Sequence, residues 1–110
     1  MTIILDMGGV LMQHNMPECI ARFSRILGEE QMEHILGMKP NAEGIPDSLM
    51  EQFECGLVDA DIFVDTIHAH AVAGTTRQDI IDAWNTMHAG IPAYRLYMWR
   101  AWKAKGHHLI

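Results

Sequence analysis

A mostly helical α/β fold is the architecture this sequence predicts, with two short parallel strands at the chain ends and a helical bundle between them. Three observations carry the prediction. Ile3-Ile4-Leu5 is a short apolar run stopped by Gly8-Gly9, which suits a strand buried on both faces, as in a parallel sheet. From about residue 15 to the break at Gly106, apolar residues recur at helical spacing between glycines. His107-His108-Leu109-Ile110 then begins a second strand. A crossover between two such strands is expected to be right-handed, with the strands parallel.

Each element has its own local signals. Val10-Leu11-Met12 is further apolar chain after the glycine turn. Asn15 can cap a helix whose first turn holds Pro17 and Glu18. Ile20, Phe23, Ile26 and Leu27 line its expected inner face, and Gly28 stops it. A short helix is expected over residues 29–36, closed by Gly37. Pro40, Asn41, Gly44 and Pro46 mark residues 38–47 as a loop. Asp47 or Ser48 can cap the next helix, which Gly56 ends. Asp59 caps another that should turn Ile62, Phe63 and Ile67 inward. After Gly74, Thr76 with Asp79 three residues on resembles a capping box, and Ile80, Ile81, Trp84 and Met87 come after it at helical spacing. Pro92 starts the last helix, where Leu96, Trp99 and Trp102 should face the core, and Gly106 closes it.

The bulk numbers exclude several classes. At 110 residues the chain is one domain's worth, enough to bury roughly two-thirds of the surface its unfolded form exposes. Hydrophobic residues are 49% and charged residues 20%, which reads as globular rather than disordered. A net charge of −6 without a basic stripe argues against nucleic acid or an anionic membrane as partner. No apolar run approaches membrane-spanning length, and no signal peptide is visible. Two cysteines, Cys19 and Cys55, are too few for a disulfide scaffold and fit a reducing cytoplasm. The nine methionines read as core filler.

Chemistry concentrates at Asp6, where the first strand ends and the glycine turn begins. In open α/β sheets ligands gather outside the carboxyl ends of strands. A carboxylate there can act as a nucleophile without a general base, because carboxylates are ionised at neutral pH. Toward an anionic substrate it needs a divalent cation such as Mg²⁺ to bridge the two negative groups. Gly8 and Gly9 leave backbone groups free to approach a ligand or ion. The simpler alternative is a tight turn whose aspartate caps a backbone amide.

The stretch Ile3-Ile4-Leu5-Asp6-Met7-Gly8-Gly9-Val10-Leu11 resembles the first motif of the haloacid dehalogenase (HAD) superfamily, in the branch with Asp-x-Gly-Gly-Val. Phe53-Glu54-Cys55-Gly56-Leu57-Val58-Asp59 with Phe63 resembles that branch's cap segment. So does Asp82-Ala83-Trp84-Asn85-Thr86-Met87, with Ile91-Pro92 and Arg95-Leu96 after it. Lys105-Gly106 with Leu109-Ile110 resembles the lead into the second core strand. The resemblance implies the N-terminal part of a HAD-like Rossmannoid fold. Residues 1–14 and 91–110 would be a partial α/β core, and residues 15–90 a helical cap. It implies Asp6 as the nucleophile of a Mg²⁺-dependent phosphatase, the Gly8 carbonyl as a Mg²⁺ ligand beside Asp6, and a small phosphorylated metabolite such as a sugar phosphate as substrate.

Two departures qualify these implications. The commoner pattern has a second aspartate as acid and base two residues after the nucleophile, where this chain has Gly8, so the proton donor is unassigned. His14 is a conceivable substitute, beside its plainer reading as an ordinary loop histidine. The family's later serine or threonine, lysine and acidic pair have no counterpart in these 110 residues, so the chain is expected to be inactive alone. It is also expected to form homo-oligomers or to pair with a missing C-terminal half, since a sheet with open apolar edges pairs with other chains. The competing readings are a non-catalytic binding module that keeps the cap, and an unrelated small helical protein.

Other features have plain explanations. His68 and His70 lie two apart on an expected helix, and His107 and His108 are adjacent on an expected strand, so neither pair shares a face. Trp84, Trp99 and Trp102 fall at core or interface spacing. Glu29, Glu30 and Glu33 make a solvated acidic face that favours a helix start.

Overall fold

The computed structural model describes residues 1–37 and 43–110. Pro40 and Asn41 of the expected loop lie outside the described residues. The element order is β1 (Thr2–Ile3), α1 (Met16–Leu27), α2 (Glu29–Leu36), α3 (Leu49–Glu54), α4 (Ala60–His70), α5 (Arg77–Asn85), α6 (Ala93–Ala104) and β2 (His108–Leu109). Helix therefore dominates, and strand is confined to the chain ends. The chain divides into two compact units, one of residues 1–16 and 86–110, the other of residues 17–85. The family resemblance implies a core of residues 1–14 and 91–110 and a cap of residues 15–90.

The helical unit is built by capping and apolar periodicity acting together. The Ser48 hydroxyl accepts the Glu51 N–H at the start of α3 (3.1 Å), and the Asp59 carboxylate accepts the Ile62 N–H at the start of α4 (2.8 Å). Thr76 and Asp79 form a reciprocal box. The Asp79 N–H donates to the Thr76 hydroxyl, and the Asp79 carboxylate accepts both the N–H and the hydroxyl of Thr76. These bonds to the charged form hold the Asp79 carboxyl below its ordinary value of 3.8. Between α1 and α2 the chain turns sharply at Gly28, whose φ of +76° would strain any residue with a side chain.

Phe63, Ile67 and Ile80 anchor this unit's core, joined by Phe23, Ile26 and Leu27. Phe53 stacks on Phe63 with ring centroids 4.4 Å apart, and Trp84 meets both rings edge-on at 5.4 and 5.0 Å. The connection after α4 is tied to α1 by the Val72 N–H, which donates to the Ile26 carbonyl at 2.8 Å. Several inward assignments shift by a residue or two. Cys19 and Val64 are buried, whereas Ile20 and Ile62 are exposed. Ile81 is exposed too, and Ala83 takes its place inside. In each case the helix turns a slightly different arc inward than the longest side chains suggest.

The other unit carries β1 and β2 in parallel, with Thr2 opposite His108 and Ile3 opposite Leu109. The ladder extends past both strands. The Leu5 N–H donates to the Ile110 carbonyl at 2.8 Å, and the Ile110 N–H to the Ile3 carbonyl at 3.0 Å. The strand expected to be buried on both faces is not. Ile4 is 80% exposed, because successive side chains on a strand point to opposite faces and only one face of this pair is covered among the described residues. On α6 no residue is fully buried: Leu96 is exposed, and Trp99 and Trp102 are half-buried.

Candidate active site

Asp6 comes directly after the strand ladder at the carboxyl end of β1. Its side chain is exposed, and Oδ1 accepts the Met7 N–H at 2.8 Å. That bond fixes one carboxylate oxygen, so the tight-turn role is real. It leaves the second oxygen of an exposed carboxylate for a ligand.

Residues 6–12 are wound into a compact loop by main-chain hydrogen bonds. The Leu11 N–H donates to the Asp6 and Met7 carbonyls, each at 3.0 Å, and the Met12 N–H donates to the Met7 carbonyl at 2.8 Å. The Gly9 N–H donates to the Met12 carbonyl at 2.8 Å, and Gly8 bridges Met12. Gly9 has φ +74°, the conformation that lets the chain double back here. Asp6, Gly8 and Gly9, the three residues singled out in the sequence, therefore share one loop.

The chain leaving this loop runs antiparallel to residues 87–90. The Gln13 N–H donates to Gly90 (2.8 Å), the Ala89 N–H to Gln13 (2.7 Å) and the Asn15 N–H to Met87 (2.9 Å). These bonds pin His14 opposite His88. The His14 ring lies over Gly8: a Cβ added there would meet its Cε1 at 2.9 Å and its Nε2 at 3.0 Å. His14 thus fills the space a side chain at position 8 would need. His88 has no signal in the sequence, because the pairing joins positions far apart in the chain.

The loop offers hard oxygen donors, a carboxylate on Asp6 and the backbone carbonyl of Gly8. Such a set fits Mg²⁺, which is held by one or two carboxylates together with water and substrate phosphate. Among the described residues there is no group of three or more histidine, cysteine, aspartate or glutamate side chains that could hold a metal. The remaining histidine pairs do not converge. The His68 ring donates to the Thr75 carbonyl and the His70 ring to the Thr66 carbonyl, each at 2.9 Å. His107 is half-buried and His108 exposed.

Solved structures share this arrangement of elements. The chain superposes on HAD family enzyme BT-2542 from Bacteroides thetaiotaomicron, solved in complex with magnesium and inorganic phosphate, with a TM-score of 0.71 at 24% identity over 99% of this chain and 51% of that one. The chain has a HAD-type fold. A variant of the same enzyme with an aspartate-to-alanine substitution, also in complex with magnesium and inorganic phosphate, gives a TM-score of 0.71 at 24% identity over 99% of this chain and 52% of that one. A further structure of the enzyme gives 0.67 at 24% identity, over 97% and 50%. The chain spans about half the length of these solved HAD-type chains. No protein-family model and no curated protein matches it. No helix among the described residues is long and apolar enough to cross a membrane.

Proposed function

We propose that this chain carries the nucleophile segment and the cap of a HAD-like, Mg²⁺-dependent phosphatase acting on a small phosphorylated metabolite such as a sugar phosphate. The supporting observation is the 6–12 loop. It sets an exposed carboxylate at the carboxyl end of a parallel strand, in one loop with Gly8 and Gly9, in a fold shared with an enzyme solved with magnesium and inorganic phosphate. In this reading Asp6 attacks phosphorus, the ester P–O bond breaks, and the leaving alcohol takes up a proton. Water then cleaves the acyl phosphate and restores the carboxylate. Asp6 and the Gly8 carbonyl would hold the ion, which neutralises phosphate charge when bound. Gly9 lets the loop backbone approach the phosphate, and residues 15–90 act as the cap. Cytoplasmic residence fits the free thiols of Cys19 and Cys55. Neither nucleic acid nor membrane is a partner in this reading.

The metal-ligand set of the loop is thin, and removing a single charge-stabilising donor typically costs about 10²–10³ in rate. The purified chain with Mg²⁺ should therefore show no measurable turnover of an aryl phosphate. It should still shift the amide resonances of residues 6–12 with Mg²⁺, and shift them further when inorganic phosphate is added. Both responses should be lost in Asp6→Asn. Shifts that survive Asp6→Asn would overturn the assignment of the site. Turnover that disappears in Asp6→Asn would instead overturn the inactivity and point to site completion in an oligomer. The thin ligand set favours, as a second reading, a non-catalytic module that binds phosphate without turning it over. Turnover regained with a complementing C-terminal segment would exclude it.

A further inference from the structure

His14 and His88 face each other across the short antiparallel pairing of residues 13–15 with 87–90. The hydrogen bonds flank the pair rather than join it, so it is a non-hydrogen-bonded pair, the position where cross-strand Cα atoms come within roughly 4.5 Å and side chains project together. Both residues are exposed, and their ring centroids are 6.2 Å apart with the planes at 74°. Among the described residues no hydrogen bond or ion pair engages either ring, unlike those of His68 and His70. The tip of the His14 ring faces the space left by the missing Cβ of Gly8.

We propose that His14 and His88 form a two-point chelate for a borderline d-block dication of the zinc, copper or nickel class. Neutral imidazole suits these ions and not Mg²⁺, which prefers oxygen. With metal–nitrogen bonds of about 2.0–2.1 Å, two imidazoles on one tetrahedral ion have centroids roughly 5 Å apart. The rings need to close by about 1 Å, which rotation about their side-chain torsions supplies while the backbone pairing stays fixed. Water completes the coordination, since no third protein ligand converges among the described residues. This set uses imidazole nitrogen where the neighbouring set of Asp6 and the Gly8 carbonyl uses oxygen, and it does not depend on phosphatase chemistry.

The test is calorimetric titration of the full chain with zinc alone, at a pH where histidine is neutral. One site per chain is expected. Its affinity should fall at least tenfold in His14→Gln and in His88→Gln, and hold in His68→Gln. An affinity unchanged in either of the first two variants would overturn the proposal, as would an equal loss in His68→Gln. Should either variant fail to fold, substoichiometric Cu²⁺ added to the parent chain decides. Broadening of the His14 and His88 ring resonances ahead of the other five histidines supports the chelate, and uniform broadening of all seven overturns it.

Discussion

The contact between the His14 ring and Gly8 can be tested without any ligand. Gly8 has a backbone conformation open to residues with a side chain, whereas Gly9 sits at φ +74°. Gly8→Ala therefore meets only one obstacle, the Cε1 and Nε2 atoms of His14 at 2.9 and 3.0 Å from the new methyl. The ring belongs to an exposed side chain and can move, so the cost falls at the low end of overpacking, about 1 kcal/mol. In a His14→Ala background the obstacle is gone. There Gly8→Ala should stabilise by about 0.4–1 kcal/mol, because alanine restricts the unfolded chain. The coupling between the two positions is then roughly 1.5–2 kcal/mol, inside the range for residues in contact. Urea unfolding of the parent, both single variants and the double variant, monitored by the amide resonances of residues 1–16 and 86–110, measures it. Gly9→Ala serves as a control, since it should destabilise by about 1 kcal/mol or more whether or not His14 is present. Equal effects of Gly8→Ala in both backgrounds, within about 0.5 kcal/mol, would refute the reasoning.

Two further outcomes are expected. Ile4 and Ile110 are 80% and 65% exposed on a two-stranded sheet, and open apolar edges pair with other chains, so the protein should not persist as a monomer of 12.4 kDa. Light scattering during size exclusion checks this, and a sharp monomer peak unchanged over tenfold dilution would count against it. The second outcome concerns acid stability. Asp79 has a folded-state value below its ordinary 3.8 because the Thr76 N–H and hydroxyl bind its charged form. The stabilisation is complete above the ordinary value and is lost as pH falls through the lower folded value. Asp79→Asn should therefore narrow the stability difference between pH 6 and pH 3, and a variant with the parent's acid profile would show that the box carries no such linkage.

Caps and breaks were the most legible part of the sequence. Ser48, Asp59, the Thr76–Asp79 box, Gly28, Gly37 and Gly106 all act locally, through bonds and torsions that span only a few residues. The parallel pairing of the chain ends was also legible, from two apolar runs and the handedness of crossovers. Which large side chains turn inward was less so. Ile20, Ile62 and Ile81 are apolar at helical spacing yet exposed, since burial depends on where the neighbouring helix lies and not on the residue alone. At the site, Asp6 and its glycines could be read directly because they are nearly consecutive. The His14–His88 pairing could not, because it depends on residues brought together by everything folded between them.

The unit that holds Asp6 is made of two stretches of chain, with residues 17–85 between them in the sequence. During synthesis the first strand leaves the ribosome well ahead of its partner at His108–Leu109, which is made only after the whole helical unit. Closing so long an interval has an entropic cost that rises slowly with length, so the helical unit, rich in local contacts, can form first and bring the two stretches within reach. Until then the segment that holds Asp6 lacks its partner strand, and its Ile3-Ile4-Leu5 run is open to chaperones, to a neighbouring nascent chain, or to a strand supplied in trans. On that order of folding the proposed site comes last: Asp6 is translated ahead of the helices, and its seat in the sheet is assembled after them.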